Sequence, residues 1–206
     1  MPAALLAGLA QAIAITDEPG AETVVAALAA LPAEQANATL AVLETWLADT
    51  SQPDPERRWW AVRAAAALPG AAAVSLLAGC LTFPDPALVQ CAAVGLRQRP
   101  GQGLGGIEPA IPALARLLDD PDGLTRRLAG DALVAAGPAA VPALLAALEN
   151  ATPPARREAI RALAQVGDER AVPALFAALD AASALLQYWA EQGLERMGIG
   201  MAFFMP

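Results

Sequence analysis

The side chains able to do chemistry in this 206-residue chain are few. All 13 basic residues are arginine, there is no histidine and no lysine, and 21 acids leave a net charge of −8. Without histidine, imidazole acid–base catalysis, Ser-His-Asp triads and histidine metal ligands are excluded. Without lysine, a GxxxxGK[ST] phosphate loop is excluded as well. The segment Gly101-Gln102-Gly103-Leu104-Gly105-Gly106 is glycine-rich, but it joins two helical patterns instead of following a strand, so it reads as a flexible connection. Asp119, Asp120 and Asp122 lack the spacing and the closing glutamate of an EF-hand, and read as acids at a helix start. Cys80 and Cys91 are too few for a disulfide framework or a four-ligand zinc site; in apolar helical surroundings they read as small buried hydrophobes. No catalytic residue, metal or cofactor is expected.

What remains is the chemistry of recognition. Arg126-Arg127 and Arg156-Arg157 stand 30 residues apart, and counting back from the following glycines places Trp59-Trp60 and Gln187-Tyr188 in the same column. Adjacent helical residues point about 100° apart, so at most one of each pair faces a core. Two readings follow. A surface ladder of arginine and aromatic side chains has the composition of binding hot spots. Alternatively, the arginines pair between repeats with acids such as Asp131, Glu158 or Asp168. Charge is also placed unevenly: residues 1–56 hold eight acids and no arginine, and residues 57–206 hold the other 13 acids and all 13 arginines. A phosphate-backbone binder carries a basic stripe. None is visible here, and nucleic acid is not an expected partner, although Trp59, Trp60, Trp189 and the Arg pairs would be its only support.

The elements that position these residues follow from a repeat. Hydrophobic residues make up 56% of the chain but aromatics only 4%, because alanine, the best helix former, supplies the excess. Ile111-Pro112-Ala113-Leu114, Val141-Pro142-Ala143-Leu144 and Val172-Pro173-Ala174-Leu175 recur at intervals of 30 and 31 residues. Proline is tolerated in a first helical turn because its missing N–H has no partner there anyway. Each copy therefore opens a short helix B. Before each lies a longer helix A, begun at Asp54-Pro55, Asp85-Pro86, Pro121-Asp122 or Pro153-Pro154 and ended at Gly70, Gly137, Gly167 or Gly198. The spacing places an insertion of about seven residues near 100–109. The B helices are almost uncharged, and Leu145 and Phe176 occupy equivalent positions on them. Either they line an apolar groove or small side chains simply allow tight packing there. The run 2–15 is too short for a membrane span and lacks the basic start of a secretory signal. A cytoplasmic location is therefore expected, with no membrane partner.

Arg156-Arg157-Glu158-Ala159-Ile160-Arg161-Ala162-Leu163 and Gly167-Asp168-Glu169-Arg170-Ala171-Val172-Pro173-Ala174-Leu175 resemble HEAT repeats, especially the roughly 30-residue kind found in phycobilisome-lyase-like proteins. The resemblance implies an all-α fold, a right-handed α-solenoid of about five to six antiparallel helix pairs. It covers residues 54–198 well; residues 1–53 read as degenerate acidic cap helices of one domain spanning 1–206, with 22–31 and 33–48 as a further pair. Residues 199–206 form an apolar tail in which Phe203 and Phe204 either cap the last repeat or dock on a partner or a second copy. The resemblance implies a non-enzymatic scaffold that holds a protein partner, such as an apolar or helical segment; a bilin-lyase-like or cofactor-chaperoning role is the alternative. Candidate contact residues are Trp59, Trp60, Arg126, Arg127, Arg156, Arg157, Leu145, Phe176, Phe203 and Phe204.

Overall fold

A computed structural model of the chain describes residues 2–49, 54–149 and 151–199. Among them are twelve α-helices and no strand. They form two compact units, Met1–Ala110 and Ile111–Pro206.

The first unit contains α1 (Pro2–Ala14), α2 (Glu18–Ala29), α3 (Ala33–Ala48), α4 (Pro55–Ala67), α5 (Ala71–Cys80) and α6 (Pro86–Gln98). Helix α4 packs on its B partner α5 and on the next A helix, α6. The diverged segments 22–31 and 33–48 fall in α2 and α3. Helix α2 stacks on α4 as A on A, and α3 stacks on α5 as B on B. Arg63 of α4 clasps Glu22 of α2 with two hydrogen bonds, Nε to Oε1 at 3.0 Å and Nη2 to Oε2 at 2.7 Å. Both side chains are partly exposed, so the pair contributes to register more than to stability.

The second unit contains α7 (Ile111–Arg116), α8 (Gly123–Ala136), α9 (Val141–Leu148), α10 (Pro153–Val166), α11 (Val172–Leu179) and α12 (Ala184–Arg196). Here α8, α10 and α12 stack in order as A helices, with α7, α9 and α11 packed against them. The three B helices begin at the Ile or Val that the proline pattern marks, each after a 3₁₀ turn. Residues 123–148 are, among the described residues, the one helical run long and apolar enough to cross a membrane. It is not one straight rod. Gly137, at φ 64° and ψ −142°, breaks it into α8 and α9, both of which pack on α10.

Helix starts carry the expected chemistry. The carboxylates of Asp54, Asp85 and Asp122 accept from first-turn N–H groups at 2.7–3.1 Å, and the Thr152 hydroxyl accepts more loosely from Ala155 N–H of α10, at 3.4 Å. At the helix ends Gly167 takes the left-handed cap (φ 68°, ψ 30°), and Gly198, at φ 75°, closes α12 with its N–H on the Glu195 carbonyl and that of Ile199 on the Leu194 carbonyl, both at 2.9 Å. Gly70 and Gly137 turn out through other conformations with positive φ, which equally favour glycine.

The core is built from leucines such as Leu9, Leu28, Leu77, Leu96, Leu114 and Leu118, all fully buried, with alanine wherever A helices meet. Burying each leucine stabilises by roughly 1.5–3 kcal/mol. Gly95 of α6 and Gly193 of α12 hold the same repeat position. A Cβ on Gly95 would lie 2.5 Å from Ala66 Cβ, and one on Gly193 would lie 2.8 Å from Ala164 Cα. Overpacking of this kind costs about 1–3 kcal/mol. Gly95→Ala and Gly193→Ala are therefore each expected to lower unfolding free energy by about that amount in urea, despite alanine's higher helix propensity. A gain in stability would show that the A helices are not held at this separation.

Candidate functional site

The repeated column early in helix A has different roles along the chain. In α8 and α12 its first members turn inward to the chain, whereas in α10 the first member, Arg156, is exposed. Arg126 Nη1 donates to the carbonyls of Asp120 and Pro121 at 2.6 and 2.9 Å, and Gln187 Nε2 donates to the carbonyl of Ala181 at 2.9 Å. Each reaches back six residues to tie down the turn before its helix. The second members turn outward: Arg127 and Tyr188 are each half exposed, and Arg157 is partly exposed. No ion pair forms at Arg156 or Arg157 among the described residues. Arg156 is exposed and lines a small cleft of about 210 Å³ with Leu148, Ile160, Ala174, Ala177 and Leu186.

Inter-repeat pairing exists, but it runs mainly through Arg161. This side chain is 2% exposed. Its guanidinium bonds Glu158 at 2.8 Å, Asp131 of α8 at 2.8 Å and Gln165 at 3.1 Å. It reaches across α8 where Gly130 leaves room: a Cβ there would sit 2.6 Å from Nη2. Asp131 also accepts a longer contact from Arg127, at 3.4 Å. Asp168 does not serve the Arg pairs. It pairs with Arg170, whose hydrogen bonds hold its carboxyl down to about 2.

Two exposed side chains escaped the sequence reading. Leu124 and Leu185, 54% and 49% exposed, each stand two residues before the column, at Arg126 and Gln187. Both lie one residue off the buried stripes, Thr125-Ala129-Ala132-Leu133 in α8 and Leu186-Ala190-Gly193-Leu194 in α12. That displacement from the i, i+3, i+4 pattern was the available signal. On the B helices, by contrast, Leu145 and Phe176 are half-buried, and the exposed positions of α9 and α11 are Pro142, Ala146, Pro173 and Ala177. Phe203 and Phe204 lie outside the described residues.

In the first unit, Trp60 is 4% exposed and Trp59 is half-buried; their rings meet edge to face, 5.0 Å between centroids at 90°. The arginines before them stack on other aromatics, Arg57 over Trp46 at 4.5 Å and Arg58 over Phe83 at 5.3 Å. Trp59 and Trp60 wall an open cleft of about 830 Å³ where the first turns of α2 and α4 come together, lined also by Glu18, Glu22 and Glu56. Thr16 sits at its edge with φ 55°, in the left-handed position closing α1, where a β-branched residue is strained. Asp17 N–H to the Ala12 carbonyl at 2.9 Å and Thr16 N–H to the Ile13 carbonyl at 3.0 Å complete a Schellman turn there.

Arg99 was also not singled out by sequence. It is fully buried and donates to the carbonyls of Leu68, Leu104, Gly70 and Ala66 at 2.8, 2.9, 3.0 and 3.3 Å. It thereby caps the C-terminal end of α4 and pins the inserted loop. Desolvation lowers its pKa. Arg99→Leu leaves these carbonyls without a donor and is expected to cost about 3 kcal/mol in urea unfolding; a change below 1 kcal/mol would remove the cap from the account.

Burial pushes both thiols, Cys80 and Cys91, up to about 12. Neither is a ready nucleophile. Native protein at pH 8 is expected to resist iodoacetamide, and urea-unfolded protein to react fully. Since the folded thiols keep protons that the unfolded chain sheds, stability should fall as pH rises from about 9 toward 12. Fast native alkylation would contradict the burial.

The HEAT-repeat family matches residues 41–134 and 110–195. Together these segments span more than half of the sequence, and the chain belongs to that family. No curated protein matches it significantly. Among solved structures, it is similar to an engineered protein at 24% identity, covering 95% of this chain and 96% of that one, with a TM-score of 0.56. A designed armadillo repeat protein in complex with the peptide (KR)4 is 21% identical over 92% of this chain and 98% of its own, with a TM-score of 0.51. The complex of CpcE and CpcF of phycocyanin lyase from Nostoc sp. PCC7120 is 22% identical over 96% and 77%, with a TM-score of 0.50. At these identities the likeness is one of fold: an all-α repeat solenoid of the HEAT and armadillo kind, including the expected short-repeat lyase type.

Proposed function

We propose that this chain is a non-enzymatic scaffold that holds a partner protein, and that the first turns of α8, α10 and α12 carry the contact in the second unit. The supporting observation is the recurrence of exposed leucine at one repeat position. Leu124 and Leu185 are joined three residues later by Arg127 and Tyr188, with Arg157 in the same column of α10. Residues three apart share a helix face, so each terminal A helix offers one apolar and one hot-spot side chain side by side. Folding gives no reason for these leucines to stay in water, and covering them with a partner recovers roughly 25 cal/mol per Å². The B-helix face offers less, because proline and alanine occupy its exposed positions.

The lyase-like alternative has the fold likeness behind it but no residue-level support. Both thiols are held protonated, and no cluster of three His, Cys, Asp or Glu suited to a metal occurs among the described residues.

Affinity capture from the native cell extract tests the scaffold reading. A partner recovered with wild type is expected to fall about tenfold or more with Leu124→Asp, Leu185→Asp and Tyr188→Ala combined, provided the variant keeps its helical circular dichroism. Undiminished recovery would overturn the proposed surface. Loss instead with Leu145→Glu plus Phe176→Glu would move the contact to the B helices.

A further inference from the structure

We propose that the tryptophan-walled cleft in the first unit receives the cationic side chain of a lysine- or arginine-rich segment. The inference is independent of the contact surface assigned to the second unit, and concerns only residues of α2 and α4 with the turns before them.

Three observations converge on it. The first is shape: the cleft, about 830 Å³, is open enough to admit an extended side chain with part of its backbone. The second is the wall. Trp59 and Trp60 stand at right angles with Trp59 half-buried, so that a ring of Trp59 borders the cleft while Trp60 supports it from the core. Tryptophan is the best aromatic surface for a cation, which is attracted within about 6 Å of the ring centroid. Inside the protein this attraction is already used twice nearby, by Arg57 on Trp46 and Arg58 on Phe83.

The third observation is charge. No basic residue lines the cleft, whereas Glu18, Glu22 and Glu56 do. Arg63 is committed to Glu22 through both of its bonded nitrogens, so that pair is neutral. Arg57 and Arg58 are turned to their own aromatic partners. The two helix N-termini at the cleft contribute about half a positive charge each. Against that stand the capping carboxylates Asp17 and Asp54, together with Glu18 and Glu56 in the first turns. Asp17, Glu18, Asp54 and Glu56 carry four negative charges against about one positive charge from the helix ends and two from Arg57 and Arg58, which stacking on neutral rings does not discharge. The balance at the cleft therefore stays negative and favours cations. Part of this acidity serves the helix starts themselves. The capping duty falls on Asp17 and Asp54, however, while Glu18 and Glu56 make no side-chain cap bond to their helices. An apolar segment alone would leave those carboxylates to be desolvated without a counter-charge, which disfavours it as the occupant.

Titration with an octapeptide of alternating Lys and Arg, followed by tryptophan fluorescence and by anisotropy of a labelled peptide, tests the assignment. Wild type is expected to bind saturably at low salt and to ignore an Asp–Glu octapeptide. Trp59→Leu, and separately Glu18→Gln with Glu56→Gln, should each weaken binding about tenfold or more. Glu34→Gln with Glu44→Gln makes the same change in net charge at exposed positions on α3, and should weaken binding less than about twofold. The carboxamide pair keeps the shape of the glutamates, so it reports on the cleft even if Trp59→Leu fails to fold. No saturable binding, equal losses from both glutamine pairs, or binding of the acidic peptide would each overturn the assignment. None of these results would bear on the second-unit surface.

Discussion

Where α4 meets α6 and α10 meets α12, the A helices lie so close that glycine is needed opposite alanine, and the stacking within each unit depends on that approach. Gly95 faces Ala66, and Gly193 faces Ala164, at separations that leave no room for a further methyl group. A helix pair of about 30 residues cannot bury its own apolar face, so stability comes from stacking onto the next pair. Small side chains make the stack tight, and the leucines between layers fill it to interior density. The unusual composition of the chain, rich in alanine and poor in aromatics, is the direct consequence.

Arginine does the polar work that this packing leaves over. A stack of helices exposes turn carbonyls and helix ends that need donors. Arg99 supplies three such bonds at the end of α4 and a fourth to Leu104 in the inserted loop, Arg126 ties the turn before α8, and Arg170 bridges from Asp168 to the carbonyl of Pro138 at 2.7 Å. Arg161 links α10 to α8 through Asp131. Lysine, with a compact and strongly hydrated charge, would be a poor replacement in these multi-donor positions. On the first turns of the second unit, Arg127 stands one helical turn from Leu124, Tyr188 one turn from Leu185, and Arg156 is exposed on α10.

The repeat was legible because its signals are local. Proline at the second position of α7, α9 and α11, aspartate at the start of most A helices and glycine after them act within one turn, and α9 and α11 begin at Val141 and Val172 as the pattern requires. Side-chain destinations were less legible, because they depend on the neighbouring repeat. Nothing in Arg126-Arg127 distinguishes the side chain that ties a turn from the one that faces water; only the stacking direction does. Arg99 follows the last residue of its own helix, yet it serves the preceding A helix, some 30 residues upstream. The cleft beside Trp59 arises where α2 meets α4, and the sequence placed the acids and the tryptophans in separate segments without bringing them together.

The scaffold reading rests on first-turn residues of A helices, and hydrogen exchange addresses those residues directly. Arg126, Arg156 and Gln187 donate their backbone N–H only to the N-cap carbonyls of Asp122, Thr152 and Ser183, at 2.9–3.1 Å. A first turn held at its end by these bonds frays and exchanges quickly in the free protein. With the captured partner bound, the account predicts slowed exchange at residues 124–127, 155–157 and 185–188, with the B helices α9 and α11 unchanged. Protection confined to α9 and α11, or none in the second unit, would contradict it.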